Sequence, residues 1–259
     1  MGRGQKRSDD PSLVFGLHAV THLLRTAPER ILELKLTRDR HDQRLQEIND
    51  LALVAGIKPQ TVERRVLDQA SDGAAHQGAM ARIRPRPAAG ERELGALLDG
   101  LGTAGRFPLL LILDGVQDPH NLGACLRTAD ATGVHAVIAP RDRASGLTAT
   151  VRKVSSGAAE TVPFVQVTNL ARTLRMLADR GIQRVGTDGE APLGLFEADL
   201  SGPLALIMGA EGKGLRRLTR EHCDLLVQLP MAGSVSSLNV SVATGVCLYF
   251  ALAARARSG

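Results

Sequence analysis

Residues 107–114, Phe-Pro-Leu-Leu-Leu-Ile-Leu-Asp, constrain the fold more than any other feature of the chain. A strand that is apolar at nearly every position is typical of a parallel sheet with helices on both faces. Further strands are predicted at 135–139, 162–167, 183–187, 204–208 and 225–229, alternating with helices at 121–132, 146–157, 169–180, 214–223 and 236–256. This alternation predicts an α/β domain with a mostly parallel sheet over residues 107–259.

A smaller α/β domain is predicted ahead of this sheet, over residues 13–84. Apolar residues recur at helical spacing in 16–26 and alternate as in a strand over 31–36. Residues 85–106 begin with prolines at 85 and 87, which favour extended backbone, so we expect a linker there. Residues 1–12 are polar and are expected to form a disordered tail.

Composition narrows the class of partner. The chain of 259 residues has a net charge of +5, which favours a polyanionic partner. Aromatic residues make up only 2% of the chain, and this argues against modules that grip single strands by stacking bases on aromatic side chains. We expect any bound RNA to be held by arginine, lysine, amide and backbone groups.

The cellular compartment is predicted from three features that the sequence lacks: a membrane helix, a signal peptide and paired cysteines. No stretch approaches the roughly 20 apolar residues of a membrane helix, and the first ten residues have no apolar signal-peptide core. The three cysteines show no CxxC spacing, which argues against a disulfide framework and a cysteine zinc site. We predict a cytoplasmic protein with no membrane partner and no metal.

The common nucleotide-binding and hydrolase signatures do not fit this sheet. No GxGxxG follows the strand 109–114, and no GxSxG elbow occurs. The Gly-rich turn 208–215 lacks the GxxxxGK[ST] spacing of a phosphate loop and carries a carboxylate that would repel phosphate. Other chemistry is therefore expected at the carboxyl edge of the strands, where open parallel sheets bind ligands.

Three motifs lie at that edge: DPHNLGACLRTAD at 118–130, MGAEGKG at 208–214 and LPMAGSVSSLNVSVATG at 229–245. In this order they closely resemble the motifs of the SpoU, or TrmH-like, branch of the SPOUT methyltransferases. The first domain, with FGLHAV at 15–20 and SDGAAHQG at 71–78, resembles that family's ribosomal-protein-like RNA-binding domain.

The resemblance implies a deep trefoil knot in the second domain, an obligate homodimer and S-adenosyl-L-methionine as cofactor. It also implies methyl transfer to the ribose 2′-hydroxyl of a guanosine in 23S ribosomal RNA, in the P loop of the peptidyl-transferase centre. No metal is needed for this reaction, because the leaving thioether is neutral.

The resemblance assigns catalytic roles to five residues. Arg127 lies off the apolar stripe of its helix, so the sequence alone would make it a solvated charge. The family pattern instead brings this arginine to the target ribose and its phosphate. The family role of proton acceptor would need a phosphate neighbour, because a free guanidinium holds its proton too tightly at neutral pH. The alternative, which we prefer, is an electrostatic role in which the phosphate takes the proton. Asn121 suits a helix N-cap, and its amide can also orient the ribose or Arg127, since a cap can do both. Glu211 is a solvated loop carboxylate, an anchor of the Gly-rich turn, or a residue that positions Arg127 and Asn121.

Ser237 and Asn239 open the last helix, and capping explains at least one of them without any function. In the family these positions hold substrate and cofactor. For cofactor binding the resemblance implies Gly209, Leu229 and Leu238, although the two leucines also suit a strand and a helix core.

Two alternatives are open. One is a transfer-RNA guanosine 2′-O-methyltransferase of the same branch, which the attached first domain argues against. The other is a non-catalytic RNA-binding ribosome-assembly factor, for which loss of Asn121 or Arg127 would have been the signature. Both residues are present.

Overall fold

The structure, a computed structural model, describes residues 11–40, 42–71, 75–84, 86–142, 144–210 and 212–258. Residues 1–10 of the predicted tail lie outside this range, and Ser12 already belongs to a strand. The chain divides into two compact units. One comprises residues 1–87 and 147–161, and the other comprises 88–146 and 162–259.

The described residues form eleven strands: β1 (Ser12–Phe15), β2 (Ile31–Thr37), β3 (Gln60–Val62), β4 (Ala79–Ile83), β5 (Leu109–Asp114), β6 (Ala136–Pro140), β7 (Phe164–Val167), β8 (Gln183–Thr187), β9 (Leu193–Gly194), β10 (Leu204–Gly209) and β11 (Leu225–Gln228). They also form ten α-helices: α1 (Leu17–Thr26), α2 (Gln43–Val54), α3 (Arg64–Ser71), α4 (Glu91–Thr103), α5 (Pro119–Ala131), α6 (Ala149–Val154), α7 (Ala158–Thr161), α8 (Leu170–Asp179), α9 (Arg217–Glu221) and α10 (Val240–Ser258).

The first unit is built on a four-stranded sheet in the order β1-β4-β2-β3. β4 pairs antiparallel with β1 and β2, whereas β2 and β3 are parallel. Helices α1 and α2 bury Val20, Leu23 and Ile48 completely in the core of this unit. The helical spacing of these apolar residues explains why both helices are predicted from the sequence.

Residues 147–161 belong to the first unit, although the sequence pattern predicts them within the second domain. The single helix predicted at 146–157 is two short helices, α6 and α7. Ser156 and Gly157 separate them with φ of 52° and 98°. A Cβ on Gly157 would lie 2.8 Å from the Cβ of Ala19 in α1, so close packing against α1 requires glycine there.

A buried carboxylate holds the end of the first unit together. Glu160, on α7, is 4% exposed and forms ion pairs with Arg30 and Arg152. It also accepts the backbone N–H of Arg86 at 3.2 Å. The backbone N–H of Arg84 donates to the carbonyl of Arg30 at 2.9 Å. The start of the predicted linker is therefore fixed on the first unit by hydrogen bonds.

The second unit contains a seven-stranded sheet in the order β7-β6-β5-β10-β8-β11-β9. All of its strand pairings are parallel, which confirms the predicted parallel sheet. Every residue of β5 is buried, as its continuous apolar run predicts. The trefoil knot stays a prediction.

Four long helices cover this sheet. Leu94, Leu98 and Leu101 of α4 pack with α8 in one core cluster against β5, β6 and β10. Burial of each leucine contributes roughly 1.5–3 kcal/mol. α5 and α10 pack on each other, and α10 also contacts β10. The thiol of Cys125 in α5 donates to the Thr244 hydroxyl of α10 at 3.6 Å.

Candidate functional site

Three loops follow the carboxyl ends of β5, β10 and β11, as the sequence predicts. They comprise residues 115–118, 210–216 and 229–239. Because β5 and β10 are adjacent parallel strands, their following loops leave the same edge of the sheet side by side.

The first loop turns at once, since Gly115 has a φ of 92° directly after β5. Asp118 is the N-cap of α5, and its carboxylate accepts the backbone N–H of His120 at 3.0 Å. The sequence alternative in which Asn121 caps this helix is therefore wrong. Asn121 lies inside the first turn of α5 and is 8% exposed.

The first and third loops meet through two amides. Asn239 donates its Nδ2–H to the side-chain oxygen Oδ1 of Asn121 at 3.0 Å. The Oδ1 of Asn239 accepts from the backbone N–H and the hydroxyl of Ser241, at 2.9 and 2.6 Å. Asn239 therefore caps α10, as the sequence suggests, and also holds Asn121. These two predicted residues, 118 positions apart, are in direct contact.

The second loop folds back on itself. Ala210 and Gly214 exchange backbone hydrogen bonds of 3.1 and 2.9 Å. A Cβ on Gly209 would lie 2.2 Å from the carbonyl carbon of Gly214, so the backbone of the loop itself requires glycine at this position. The prediction for Glu211 falls outside the described residues.

Asp114, which the sequence analysis did not select, is fully buried at the end of β5. Its Oδ2 accepts the backbone N–H of Arg216 at 3.1 Å, and its Oδ1 accepts the guanidinium Nε–H at 2.5 Å. The signal for it was available: Asp114 is the one charged residue in an otherwise apolar buried strand. A buried charge needs a partner of opposite charge. Here the partner is Arg216, which lies in the second loop.

Two cavities open between these loops. The Asn121 cavity, of about 400 Å³, is lined by Asp114, Gly115, Val116, Gln117, Asp118, Asn121, Ala210, Lys213, Gly214, Arg216 and Val240. The Leu238 cavity, of about 500 Å³, includes Gly209, Leu229, Ser237 and Leu238 in its lining. Four of the predicted site residues therefore line one space. The two cavities share Ala210, Lys213, Gly214 and Val240, so one wall separates them.

The Leu238 cavity fits S-adenosylmethionine by size and chemistry. Small-molecule sites span about 300–1,000 Å³, and the wall of this cavity combines apolar with polar groups. Met208, Leu229 and Leu238 supply apolar surface for a nucleoside. Asp188 and Arg220, which also line it, form an ion pair of 2.9 Å and suit a zwitterionic amino-acid tail.

Arg127 stands apart from both cavities. It lies on the exposed face of α5, whereas Leu122, Cys125, Leu126 and Ala129 form the buried stripe. This confirms that Arg127 lies off the apolar stripe. Among the described residues that line the two cavities, Arg127 does not occur. In the part of the chain that the structure describes, no group of three or more His, Cys, Asp or Glu could hold a metal ion.

Comparison with known proteins identifies the family. The SpoU rRNA Methylase family matches residues 108–249, and the RNA 2′-O ribose methyltransferase substrate-binding family matches residues 13–89. The chain belongs to the SpoU rRNA methylase family.

Its relatives include the 23S rRNA (guanosine-2′-O-)-methyltransferase RlmB of Pectobacterium atrosepticum, with 56% identity over 94% of this chain and 98% of that protein. RlmB of Escherichia coli K12 is 55% identical, with the same coverage. The SpoU methyltransferase AviRb from Streptomyces viridochromogenes, solved with AdoMet, has a similar fold. Its TM-score is 0.67 at 25% identity, over 95% of this chain and 91% of that one. The family resemblance and the S-adenosylmethionine cofactor expected from the sequence are confirmed.

Proposed function

We propose that this protein transfers a methyl group from S-adenosylmethionine to the ribose 2′-hydroxyl of a guanosine in 23S ribosomal RNA. One observation carries the proposal: in a chain of the SpoU family, a cavity that suits the cofactor shares a wall with a second cavity that contains Asn121. A cofactor in one cavity and a ribose in the other would be separated only by the residues that both cavities share.

In methyl transfer the side chains need only orient the reactants and stabilise developing charge. S-adenosylmethionine supplies an electrophilic methyl carbon. The ribose hydroxyl is weakly acidic, so it must be aligned and lose its proton as it attacks. The Asn121 amide, held by Asn239, is suited to orient the ribose. Ser237 places a hydroxyl, and Gly209, Leu229 and Leu238 place backbone and apolar groups, around the cofactor.

Arg127 is proposed to act through its charge on the phosphate next to the target ribose. A guanidinium remains protonated at neutral pH, so it stabilises developing negative charge, while the phosphate accepts the proton that the 2′-hydroxyl loses. Its exposed position on α5 leaves it accessible to an RNA backbone. Glu211 is proposed to anchor the Gly-rich loop.

RNA selection is proposed for the first domain. Residues 13–89 match a family described as substrate binding for RNA 2′-O ribose methyltransferases. With few aromatic residues available, its arginine and lysine side chains would contact phosphates, and binding should weaken steeply with salt. The proposed target is the guanosine in the P loop of the peptidyl-transferase centre, and the proposed compartment is the cytoplasm.

A homodimer is proposed from α10. Val242, Tyr249 and Leu252 are 52%, 55% and 38% exposed and recur at helical spacing. The segment Val240–Arg257, with a mean hydropathy of 1.2, is long and apolar enough to cross a membrane by length and composition alone, and 33% of it is buried. No segment of this kind was expected from the sequence. The other face of α10 packs on α5 and β10, as in a core helix, so we assign the exposed stripe to a second copy.

The test is methyl transfer from labelled S-adenosylmethionine to unmodified 23S ribosomal RNA and, separately, to unmodified transfer RNA. We expect label in ribosomal RNA alone. Label in transfer RNA alone would favour the first alternative. RNA binding without transfer to either substrate would favour a non-catalytic assembly factor.

A further inference from the structure

Asp114 is a fully buried carboxylate at the reactive edge of the sheet, and the proposed chemistry gives it no role. It pairs in register with Gly209, the last residue of β10, directly before the second loop. Its oxygens accept the backbone N–H and the Nε–H of Arg216, and an ion pair to Nη2 completes the contact. A buried carboxylate without such donors would be strongly destabilising.

The contact fixes the far end of the second loop. Arg216 directly precedes α9 and is its N-cap residue, so the 210–216 loop runs from β10 to this anchor. Between the two ends, Ala210 and Gly214 exchange backbone hydrogen bonds. The loop is therefore held by the strand at one end, by Asp114 at the other, and by its own backbone in the middle.

This loop also supplies three of the four residues that the two cavities share. Ala210, Lys213 and Gly214 line both the Asn121 cavity and the Leu238 cavity. Its position sets the distance and angle between groups bound on either side. Rates of group transfer depend steeply on this alignment: a displacement of about 1 Å can lower the rate on the order of 100-fold.

We propose that Asp114 is a positioning residue for methyl transfer: through Arg216 it holds Ala210, Lys213 and Gly214, the loop residues between the two cavities, so that the contents of the cavities are aligned. The inference rests on the proposed function. It assigns to Asp114 and Arg216 no contact with the reacting atoms. It requires that loosening their contact slows transfer at saturation more than it weakens binding.

The test compares Asp114→Asn and Arg216→Lys with the matched control Arg217→Gln. Arg216→Lys keeps the positive charge and the backbone N–H but cannot donate two side-chain bonds in the fork geometry of a guanidinium. It therefore changes orientation while leaving the buried charge compensated. Arg217 is the next residue in the chain, and its pair with Glu221 is exposed, so its loss should change nothing.

Four quantities are measured: urea unfolding, calorimetric affinity for S-adenosylmethionine, the RNA concentration dependence, and the single-turnover methyl-transfer rate at saturation. For Arg216→Lys we expect a near wild-type unfolding midpoint, affinities within about threefold, and a rate lowered by about 10- to 100-fold. Asp114→Asn should show at least the same rate loss. If Asp114→Asn does not fold, Arg216→Lys decides alone.

A folded Arg216→Lys variant with a rate within about threefold of wild type would overturn the inference. So would a rate loss in both variants that matches only the loss of folded protein. Inactivity of the wild-type protein would refute the proposed function instead. Hydrogen exchange still tests the positioning in that case. The amides of Ala210 and Gly214 should exchange faster in Arg216→Lys than in Arg217→Gln, and equal exchange would contradict the inference.

Discussion

Replacing Glu160 by glutamine should destabilise the protein more than any comparable surface substitution. The Glu160 side chain is 2% exposed, and its partners Arg30 and Arg152 are 16% and 13% exposed. Glutamine keeps the shape but removes the negative charge. Two nearly buried guanidinium groups would then face each other without a counter-charge. Breaking a buried ion pair in this way costs about 3–5 kcal/mol.

The matched control is Glu47→Gln. Glu47 pairs with Arg25, and the two side chains are 44% and 60% exposed. An exposed pair contributes about 0–1 kcal/mol, because water and salt screen it. The same chemical change should therefore have a small effect at position 47 and a large one at position 160.

The assay is urea unfolding of full-length protein, followed by circular dichroism at constant pH and salt. We expect the free energy of unfolding to fall by about 3–5 kcal/mol for Glu160→Gln and by less than about 1 kcal/mol for Glu47→Gln. Equal losses in the two variants would show that the arginine pair around Glu160 is solvated rather than buried, and the reasoning would fail.

Four further outcomes are expected. Arg127→Ala should lower the single-turnover rate by orders of magnitude and leave calorimetric cofactor affinity within a few-fold, since it acts mainly in the transition state. A fragment of residues 107–259 should unfold at lower urea than the full chain, because residues 147–161 lose their packing partners. Burial of His135 keeps its pKa below the ordinary 6.5, so the unfolded state binds protons first. The free energy of unfolding should therefore fall as the pH is lowered through the ordinary histidine pKa, and His135→Gln should reduce that slope in urea titrations. Burial raises the pKa of the three thiols, to about 11 for Cys125 and about 12 for Cys223 and Cys247. A thiol reagent at pH 8 should label them only after denaturation.

Much of the fold can be predicted from the sequence because the spacing of its apolar residues is regular. The buried run 109–114 and the helical stripe of α5 both appear where apolar spacing predicts them. The pattern does not reveal that residues 147–161 pack with the first unit. A helix stripe shows which face is buried but not which partner covers it. Here a left-handed break at Gly157 and the ion pairs of Glu160 decide the partner, and both depend on distant contacts.

The candidate site also has features that the sequence predicts and features that it does not. Motif order predicts that Asn121 and Asn239 belong to one site, and they are in hydrogen-bond contact. The sequence marks Asp114 as the one charged residue of an apolar strand, but it does not reveal the partner, Arg216, which lies 102 positions away. Gly209 illustrates a different limit. The resemblance assigns Gly209 to cofactor binding, whereas the structure shows that the backbone of Gly214 occupies the place where a Cβ would lie.

The central claim is ribose methylation of a guanosine in 23S ribosomal RNA. The most direct measurement maps 2′-O-methylation along unmodified 23S ribosomal RNA after incubation with S-adenosylmethionine and either the wild-type protein or Arg127→Ala. A ribose with a methylated 2′-oxygen resists alkaline cleavage, so the site appears as a gap in the hydrolysis ladder. We predict one protected guanosine, in the P loop of the peptidyl-transferase centre, with the wild-type protein and none with the variant. A ladder without protection, or protection that persists with Arg127→Ala, would contradict the account.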